Sequence, residues 1–153
     1  MDLEEQYDKI FHYCCFKMYD RQLAQDITQE TFLRFYKRNL KLDSEKVLPY
    51  LYATAKNLCA DEIRKKPVYS MEDVEENTIC DASEEIINNL ALRAAMHKLP
   101  AEDQELLFLR YVQEISVISI CKITGISRFA LYRRLTRAAR QLKEELYKEG
   151  FTE

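Results

Sequence analysis

Glycine and proline are nearly absent from this chain of 153 residues, which contains two glycines and three prolines. These two residue types punctuate turns, and a protein built from strands needs many turns. Their scarcity argues against a β-rich fold and favours long helices joined by few loops. The sequence therefore predicts an all-α protein.

A long apolar segment is also missing, since no run approaches the about 20 residues that a membrane-spanning helix requires. The first ten residues, MDLEEQYDKI, are acidic, unlike a signal or transit peptide. Hydrophobic residues make up 47% of the chain and charged residues 32%, a balance typical of globular proteins. We expect a cytoplasmic protein that does not insert into a membrane and that forms one ordinary domain or two small ones.

Histidine is scarce as well, and the five cysteines form no C-x-x-C pair. Reduced thiols are the default in a cytoplasmic chain. His12 with Cys14 and Cys15 is the only conceivable metal cluster, but its spacing does not suit a zinc site and no second pair follows. No Ser-His pair, Gly-rich phosphate loop or carboxylate dyad is recognisable. We therefore expect no enzymatic activity and no metal or other cofactor.

Acidic charge is concentrated in the middle of the chain, although the formal net charge is only -3. Residues 1–66 carry 12 basic and 11 acidic side chains, residues 67–92 carry seven acidic and no basic ones, and residues 93–153 carry 11 basic and eight acidic ones. The middle segment shows no clean helical period until about Ser83. It is therefore predicted to be a flexible acidic linker that runs into the first helix of the following unit.

Helical periodicity divides the first unit into three or four predicted helices, three of which can be bounded. The first runs from about Leu3 to Tyr19, the second from roughly Gln22 to Arg38, and the third starts near Leu48. Pro49 would then lie in the first turn of the third helix, where proline is tolerated.

The last unit contains the elements of a helix-turn-helix. Pro100 opens one helix, and a short apolar segment runs from Ile115 to Thr124. Gly125 can take the left-handed conformation that ends a helix, and Ser127 can cap the next one. A short helix, a glycine-containing turn and a capped basic helix are typical of helix-turn-helix DNA binding.

The basic helix that follows, SRFALYRRLTRAARQLK at residues 127–143, has six basic side chains and no acid. Leucines recur on one side, while three arginines form a separate stripe. A solvated cationic face is the alternative interpretation, but solvated faces are usually of mixed sign. Arginine can bind guanine edges or phosphates, and a recognition helix inserts its first turns into the major groove. The predicted DNA contacts here are Arg128, Tyr132, Arg133, Arg137 and Arg140.

Two blocks of the sequence resemble the extracytoplasmic-function (ECF) sigma factors of bacterial RNA polymerase. The first contains DITQETFLRFYKR and YLYATAKNLCADEIRKK, and the second runs from LPAEDQELLFLRY through the helix-turn-helix. The resemblance implies two helical domains, region 2 at residues 1–66 and region 4 at residues 93–153, joined by the linker at 67–92. It implies a sigma factor that binds core RNA polymerase through the β′ and β subunits and directs promoter recognition and opening.

Site residues follow from the same resemblance. The second helix would bind core polymerase through Asp26, Gln29, Glu30, Phe32, Leu33 and Tyr36, although Phe32 and Tyr36 could instead be core residues. The third helix would open and read the minus-ten promoter element, since basic and aromatic side chains hold single strands. Its implied DNA contacts are Tyr50, Lys56, Asn57, Asp61, Arg64 and Lys65, with Tyr52 as a further aromatic. Tyr50 could equally be a core aromatic, and region 4 would read the minus-thirty-five element.

The chain departs from the family where Phe129, Ala130, Leu131 and Tyr132 replace the usual Gly-Thr-Val-Lys. The two aromatic side chains could contact thymine methyl groups, or could pack against the domain or an inhibitor.

Further partners and two other functions are consistent with the sequence. The resemblance implies an anti-sigma factor as a partner, and it suggests that the acidic linker mimics RNA within the polymerase. One alternative is a helix-turn-helix regulator that does not join polymerase. Another is a sigma-like decoy that binds polymerase or an anti-sigma factor without directing promoters.

Overall fold

The computed structural model describes residues 3–38, 42, 44–65, 90–148 and 150, and every regular element in these ranges is helical. The all-α prediction is therefore confirmed. The helices are α1 (Leu3–Met18), α2 (Arg21–Arg38), α3 (Ser44–Lys65), α4 (Leu90–His97), α5 (Ala101–Leu107), α6 (Val117–Thr124) and α7 (Arg128–Lys148). The chain divides into two compact units, Met1–Ala82 and Ser83–Glu153. Most of the predicted linker, including Ser83, where helical spacing is predicted to resume, lies outside the described residues, and the domain boundaries stay predictions.

The N-terminal unit is a three-helix arrangement in which α1, α2 and α3 each pack against the other two. Its core also contains two fully buried hydroxyls, those of Thr28 and Thr31. They donate hydrogen bonds to the carbonyls of Ala24 and Ile27 at 2.7 and 2.8 Å, so burial leaves neither hydroxyl without a partner. The apolar core residues are Ile10, Tyr13, Cys14, Cys15, Met18, Ala24, Ile27, Phe32, Val47, Leu51, Tyr52, Ala55 and Cys59.

Helix α3 begins at Ser44, one turn before the predicted start, so Pro49 lies inside the helix and not in its first turn. The prediction was wrong because it treated proline as a marker of the helix start. A proline at this depth costs one backbone hydrogen bond. Burial of Val47, which is 3% exposed, ties the turn before Pro49 to the core and offsets that cost.

In the C-terminal unit, α4, α5 and α6 all pack against the long helix α7. One buried cluster joins Leu99, Leu107 and Ala138, with Met96, Ala139 and Leu142 against it. Helix α5 continues into a π-helical turn, Phe108–Val112, where the Gln113 amide donates to the carbonyl of Phe108 at 3.0 Å. This wider turn ends the helix and leads the chain towards α6.

The turn between α6 and α7 has the predicted geometry. Gly125 has φ +78°, and its amide donates to the carbonyl of Cys121 at 2.8 Å, which ends α6. The Ser127 hydroxyl accepts a hydrogen bond from the Ala130 amide at 3.3 Å and so caps α7. These contacts confirm the roles that the sequence predicts for Gly125 and Ser127.

One cysteine differs from expectation. Cys15 is disulfide-bonded, whereas Cys14 and Cys121 carry free thiols. The expectation that all the cysteines are reduced is therefore wrong for Cys15. None of the helices in the described ranges is both long and apolar enough to cross a membrane.

Candidate nucleic-acid interface

Helix α7 buries one side and leaves the opposite side open. Leu131, Leu135 and Ala138 are at most 5% exposed and face the core of the C-terminal unit. Because these residues recur at spacings of three and four, they lie on one stripe of the helix. The predicted DNA contacts are all exposed: Arg128, Tyr132, Arg133, Arg137 and Arg140. Arg133, Arg137 and Arg140 lie opposite the buried stripe, whereas Arg128 lies at the amino end of the helix, three positions before Leu131. We call these five residues the arginine face.

Arg134 does not belong to the arginine face. Its Nη2 donates to Oε2 of Glu102 at 2.6 Å, and the Arg134 side chain is only 29% exposed. This ion pair joins α7 to the first turn of α5. The sequence already indicates that Arg134 is partly buried. It lies three positions after Leu131 and four before Ala138, on the flank of the buried stripe.

Phe129, for which the sequence leaves open a contact with thymine methyl groups or packing against the domain, is the most exposed large apolar residue in the described ranges, at 81%. It lies four positions before Arg133 and therefore on the same side of α7. Tyr132, three positions after Phe129, is 51% exposed. Its exposure shows that Phe129 does not pack into the core of its own unit.

Helix α3 presents a second polar stripe in the N-terminal unit. Asn57, Asp61 and Arg64 are exposed and share one side through spacings of four and three. The guanidinium of Arg64 donates to Oδ1 of Asp61. Lys65 pairs with Glu62 at 3.5 Å on one flank, and Lys56 lies half-buried on the other. Exposed ion pairs of this kind contribute little stability, so Arg64 and Lys65 can exchange them for a phosphate.

Tyr50 stands at the start of this stripe and is half-buried. Its ring packs on Phe35 with centroids 6.0 Å apart, and Phe35 in turn contacts Tyr36 at 5.5 Å. An aromatic row therefore connects α3 with α2. Tyr50 is neither fully in the core nor freely exposed.

Tyr52 is not available to DNA, which corrects the expectation that it is a further contact aromatic. Its side chain is fully buried and meets Tyr13 edge-on, with ring centroids 5.3 Å apart. Two positions along a helix turn a side chain to nearly the opposite side, which separates Tyr52 from Tyr50. Burial, and to a lesser extent the nearby Cys14 thiol, raise the pKa of the Tyr52 hydroxyl.

Helix α2 carries the residues expected to bind core polymerase, and all but one are exposed. Leu33 and Tyr36 are 52% and 56% exposed, among the polar side chains of Asp26, Gln29 and Glu30. Glu30 pairs with Arg34 at 3.0 Å and Asp26 accepts a hydrogen bond from Gln22 at 3.2 Å. These exposed residues (Asp26, Gln29, Glu30, Leu33 and Tyr36) form a mixed polar and apolar surface that we call the α2 face.

Phe32 is the exception, because it is 7% exposed and packs on Tyr7 with ring centroids 5.2 Å apart. Of the two residues for which a core role was considered, Phe32 has that role and Tyr36 does not. Phe32 therefore anchors α2 and does not form part of the α2 face.

Each of the two units matches a known protein family. The Sigma-70 region 2 family matches residues 3–67, and the Sigma-70, region 4 family matches residues 89–142. The ECF RNA polymerase sigma factor SigM of Bacillus subtilis is 31% identical over 137 residues, which cover 86% of this chain and 83% of SigM. SigW of the same organism is 30% identical over 156 residues, covering 91% of this chain and 83% of SigW.

A solved structure shares the fold. The sigma factor RpoE of Bartonella quintana, in complex with the anti-sigma factor NepR, matches with a TM-score of 0.70. The match covers 93% of this chain and 92% of that chain at 17% sequence identity. A region 2 unit followed by a region 4 helix-turn-helix defines a promoter-specificity protein. The chain belongs to the ECF family of RNA polymerase sigma factors and directs transcription initiation by that enzyme. The resemblance found in the sequence is confirmed. The match of residues 3–67 to Sigma-70 region 2 argues against the alternative of a regulator that does not join polymerase.

The raised pKa of Tyr52 predicts a specific loss of stability in base. Below about pH 10 the hydroxyl is protonated in both the folded and the unfolded chain. Above it, only the unfolded chain loses the proton, so the free energy of unfolding falls by up to about 1.4 kcal/mol per pH unit. Urea unfolding followed by circular dichroism should show that the free energy of unfolding falls less between pH 9 and 11 for Tyr52→Phe than for the wild type.

The free energies of unfolding of the wild type and Tyr52→Phe at pH 8, where the hydroxyl is protonated in both states, give the contribution of the hydroxyl apart from its titration. If Tyr52→Phe and the wild type lost stability in parallel between pH 9 and 11, Tyr52 would not be the group responsible.

Proposed function

We propose that the three helices α2, α3 and α7 divide the contacts of a sigma factor among them. In this proposal the α2 face binds core RNA polymerase, the polar stripe of α3 holds the opened minus-ten element, and the arginine face binds the minus-thirty-five element. The protein acts in the cytoplasm as a non-enzymatic regulator. The observation that carries the proposal is that each helix has a chemically distinct face opposite its buried side.

The α2 face suits a reversible protein interface. Its exposed Leu33 and Tyr36 supply apolar area, and Gln29 and Glu30 supply hydrogen-bonding groups beside them. Interfaces that form and dissociate combine apolar and polar area in this way, and tyrosine is enriched in them. Core polymerase, through its β′ and β subunits, is the partner proposed for this face.

The stripe of α3 suits a single DNA strand. Arg64 and Lys65 can bind the backbone, Asn57 can hydrogen-bond to a base edge, and the half-buried Tyr50 supplies an aromatic ring. Opening a duplex requires that at least one base be unstacked, which costs a few kcal/mol that contacts to the exposed strand must repay. Asp61 pairs with the Arg64 guanidinium until a phosphate takes its place.

The arginine face suits duplex DNA. Its four arginines are exposed, three of them (Arg133, Arg137 and Arg140) on the side of α7 away from the core and Arg128 at the amino end, and no acidic residue lies between Ser127 and Lys143. The amino end of a helix also carries partial positive charge, which adds to the attraction near Arg128. Arginines near the start of the helix can contact base edges, and those further along can contact phosphates.

An anti-sigma factor is proposed as a second protein partner. The RpoE structure of similar fold contains one, NepR. In this chain the exposed apolar residues of the α2 face offer a surface for which such an inhibitor and polymerase would compete.

Replacing Gln29 and Glu30 with alanine should weaken binding to core RNA polymerase by about fivefold or more, since lost interfacial hydrogen bonds cost about 1–3 kcal/mol together. Co-elution on gel filtration, with titration by fluorescence anisotropy, measures the effect. Asp8→Ala, an exposed site on α1, serves as the matched control and should bind as the wild type does. Equal affinity for all three proteins would show that the α2 face does not bind core polymerase.

Arg140→Ala should reduce the salt dependence of DNA binding by the chain assembled with core polymerase. If Arg140 neutralises one phosphate, the slope of log K against log salt concentration becomes less steep by about 0.9. Arg134→Ala removes an arginine of the same helix that is already paired with Glu102, and should leave the slope unchanged. An unchanged slope for Arg140→Ala, or equal changes for both variants, would contradict a phosphate contact confined to the arginine face.

A further inference from the structure

Phe129 occupies an unusual position for a large apolar side chain. It lies in the first turn of α7, two positions after the capping Ser127, and is 81% exposed. The buried stripe of the helix begins at Leu131, which is fully buried on the opposite side. Rotation of the whole helix to cover Phe129 would expose that stripe, so the core cannot accept it.

The surroundings of Phe129 are cationic. Arg128 precedes it, Arg133 follows one turn later, and both are exposed. Tyr132, three positions along, is the other exposed aromatic residue of this part of the helix. A ligand that covers Phe129 must therefore offer an apolar group framed by negative charge.

We propose that Phe129 is a specificity-determining residue that contacts the C5-methyl group of a thymine in the major groove of the DNA bound by the arginine face. This inference rests on the proposed function of α7. It gives Phe129 a preference for thymine, in addition to the phosphate contacts proposed for the arginines of the same helix.

The chemistry of the major groove supports this assignment. Among the groups that the four bases present there, the thymine methyl is the apolar one, while the others are hydrogen-bond donors and acceptors. A phenylalanine side chain has no donor or acceptor and therefore gains nothing from those other groups. The phosphates on either side of the groove supply the negative charge that Arg128 and Arg133 would contact.

Charge complementarity favours DNA over an inhibitor protein as the occupant. A protein partner would have to cover Phe129 while presenting acids to several arginines at once, and a duplex has that arrangement along its whole length. The position in the first turn of the second helix of a helix-turn-helix is also where side chains reach base edges.

The experiment removes the methyl group without changing hydrogen bonding. Duplexes bound by the full chain assembled with core polymerase are first selected from a random pool. Each thymine of the selected upstream element is then replaced singly with deoxyuridine, and binding is measured for wild type, Phe129→Ala and Phe129→Leu. All of these variants should fold, because position 129 is exposed.

The wild type should bind about fourfold more weakly when deoxyuridine replaces thymine at one or two positions. This is the change in affinity expected when one buried methyl-sized group is removed. Phe129→Ala should bind thymine and deoxyuridine equally at those positions, whereas Phe129→Leu should keep part of the discrimination because leucine is also apolar. Ile118→Ala, which removes an exposed apolar side chain of α6, should discriminate as the wild type does.

Two results would overturn the inference. Selected DNA that is insensitive to every deoxyuridine substitution would leave Phe129 as a contact for a protein. Discrimination that persists in Phe129→Ala would assign the methyl contact to another residue. A different result would contradict the proposed function itself: an assembled complex that enriches no DNA sequence from the random pool.

Discussion

Burial of Leu131, Leu135 and Ala138 fixes the rotation of α7 about its own axis, and the functional surface of the C-terminal unit depends on that rotation. With these residues against α4, α5 and α6, the side chains on the far side of α7 have no place in the core. The Arg134–Glu102 ion pair reinforces the same orientation from the flank. The arginine face is thus a consequence of how the helix packs.

The same constraint operates in the N-terminal unit. Helices α2 and α3 each bury one side in a three-helix core, and Phe32 and Tyr52 belong to those buried sides. Units of this size bury only a modest part of their surface, and each long helix retains an open side. Three faces of different chemistry result: mixed polar and apolar on α2, polar with an aromatic edge on α3, and cationic on α7. A sigma factor needs contacts of these kinds with polymerase, single-stranded DNA and duplex DNA.

The sequence predicts most of this arrangement because helical spacing alone separates buried from open sides. Gly125 and Ser127 could be identified because the left-handed turn and the helix cap each favour a particular residue type. The errors have equally local causes. Tyr52 was grouped with Tyr50 by residue type, although two positions along a helix reverse the direction of a side chain. Pro49 was treated as a helix start, whereas burial of Val47 extends the helix through the turn before it.

Other features could not be predicted from local patterns. The ion pair between Arg134 and Glu102 joins residues distant in sequence, and periodicity carries no information about such pairs. The packing of Phe32 on Tyr7 depends on how α1 meets α2, which local spacing also leaves open.

Transcription from a genomic DNA library, with core RNA polymerase in the presence and absence of the chain, tests the central claim most directly. Mapping the 5′ ends of the transcripts gives the start sites. The account predicts a set of starts that require the chain, preceded by two shared sequence elements at a constant spacing, one for each unit. Identical start sites with and without the chain, although it binds the polymerase, would contradict the claim that it directs promoter choice.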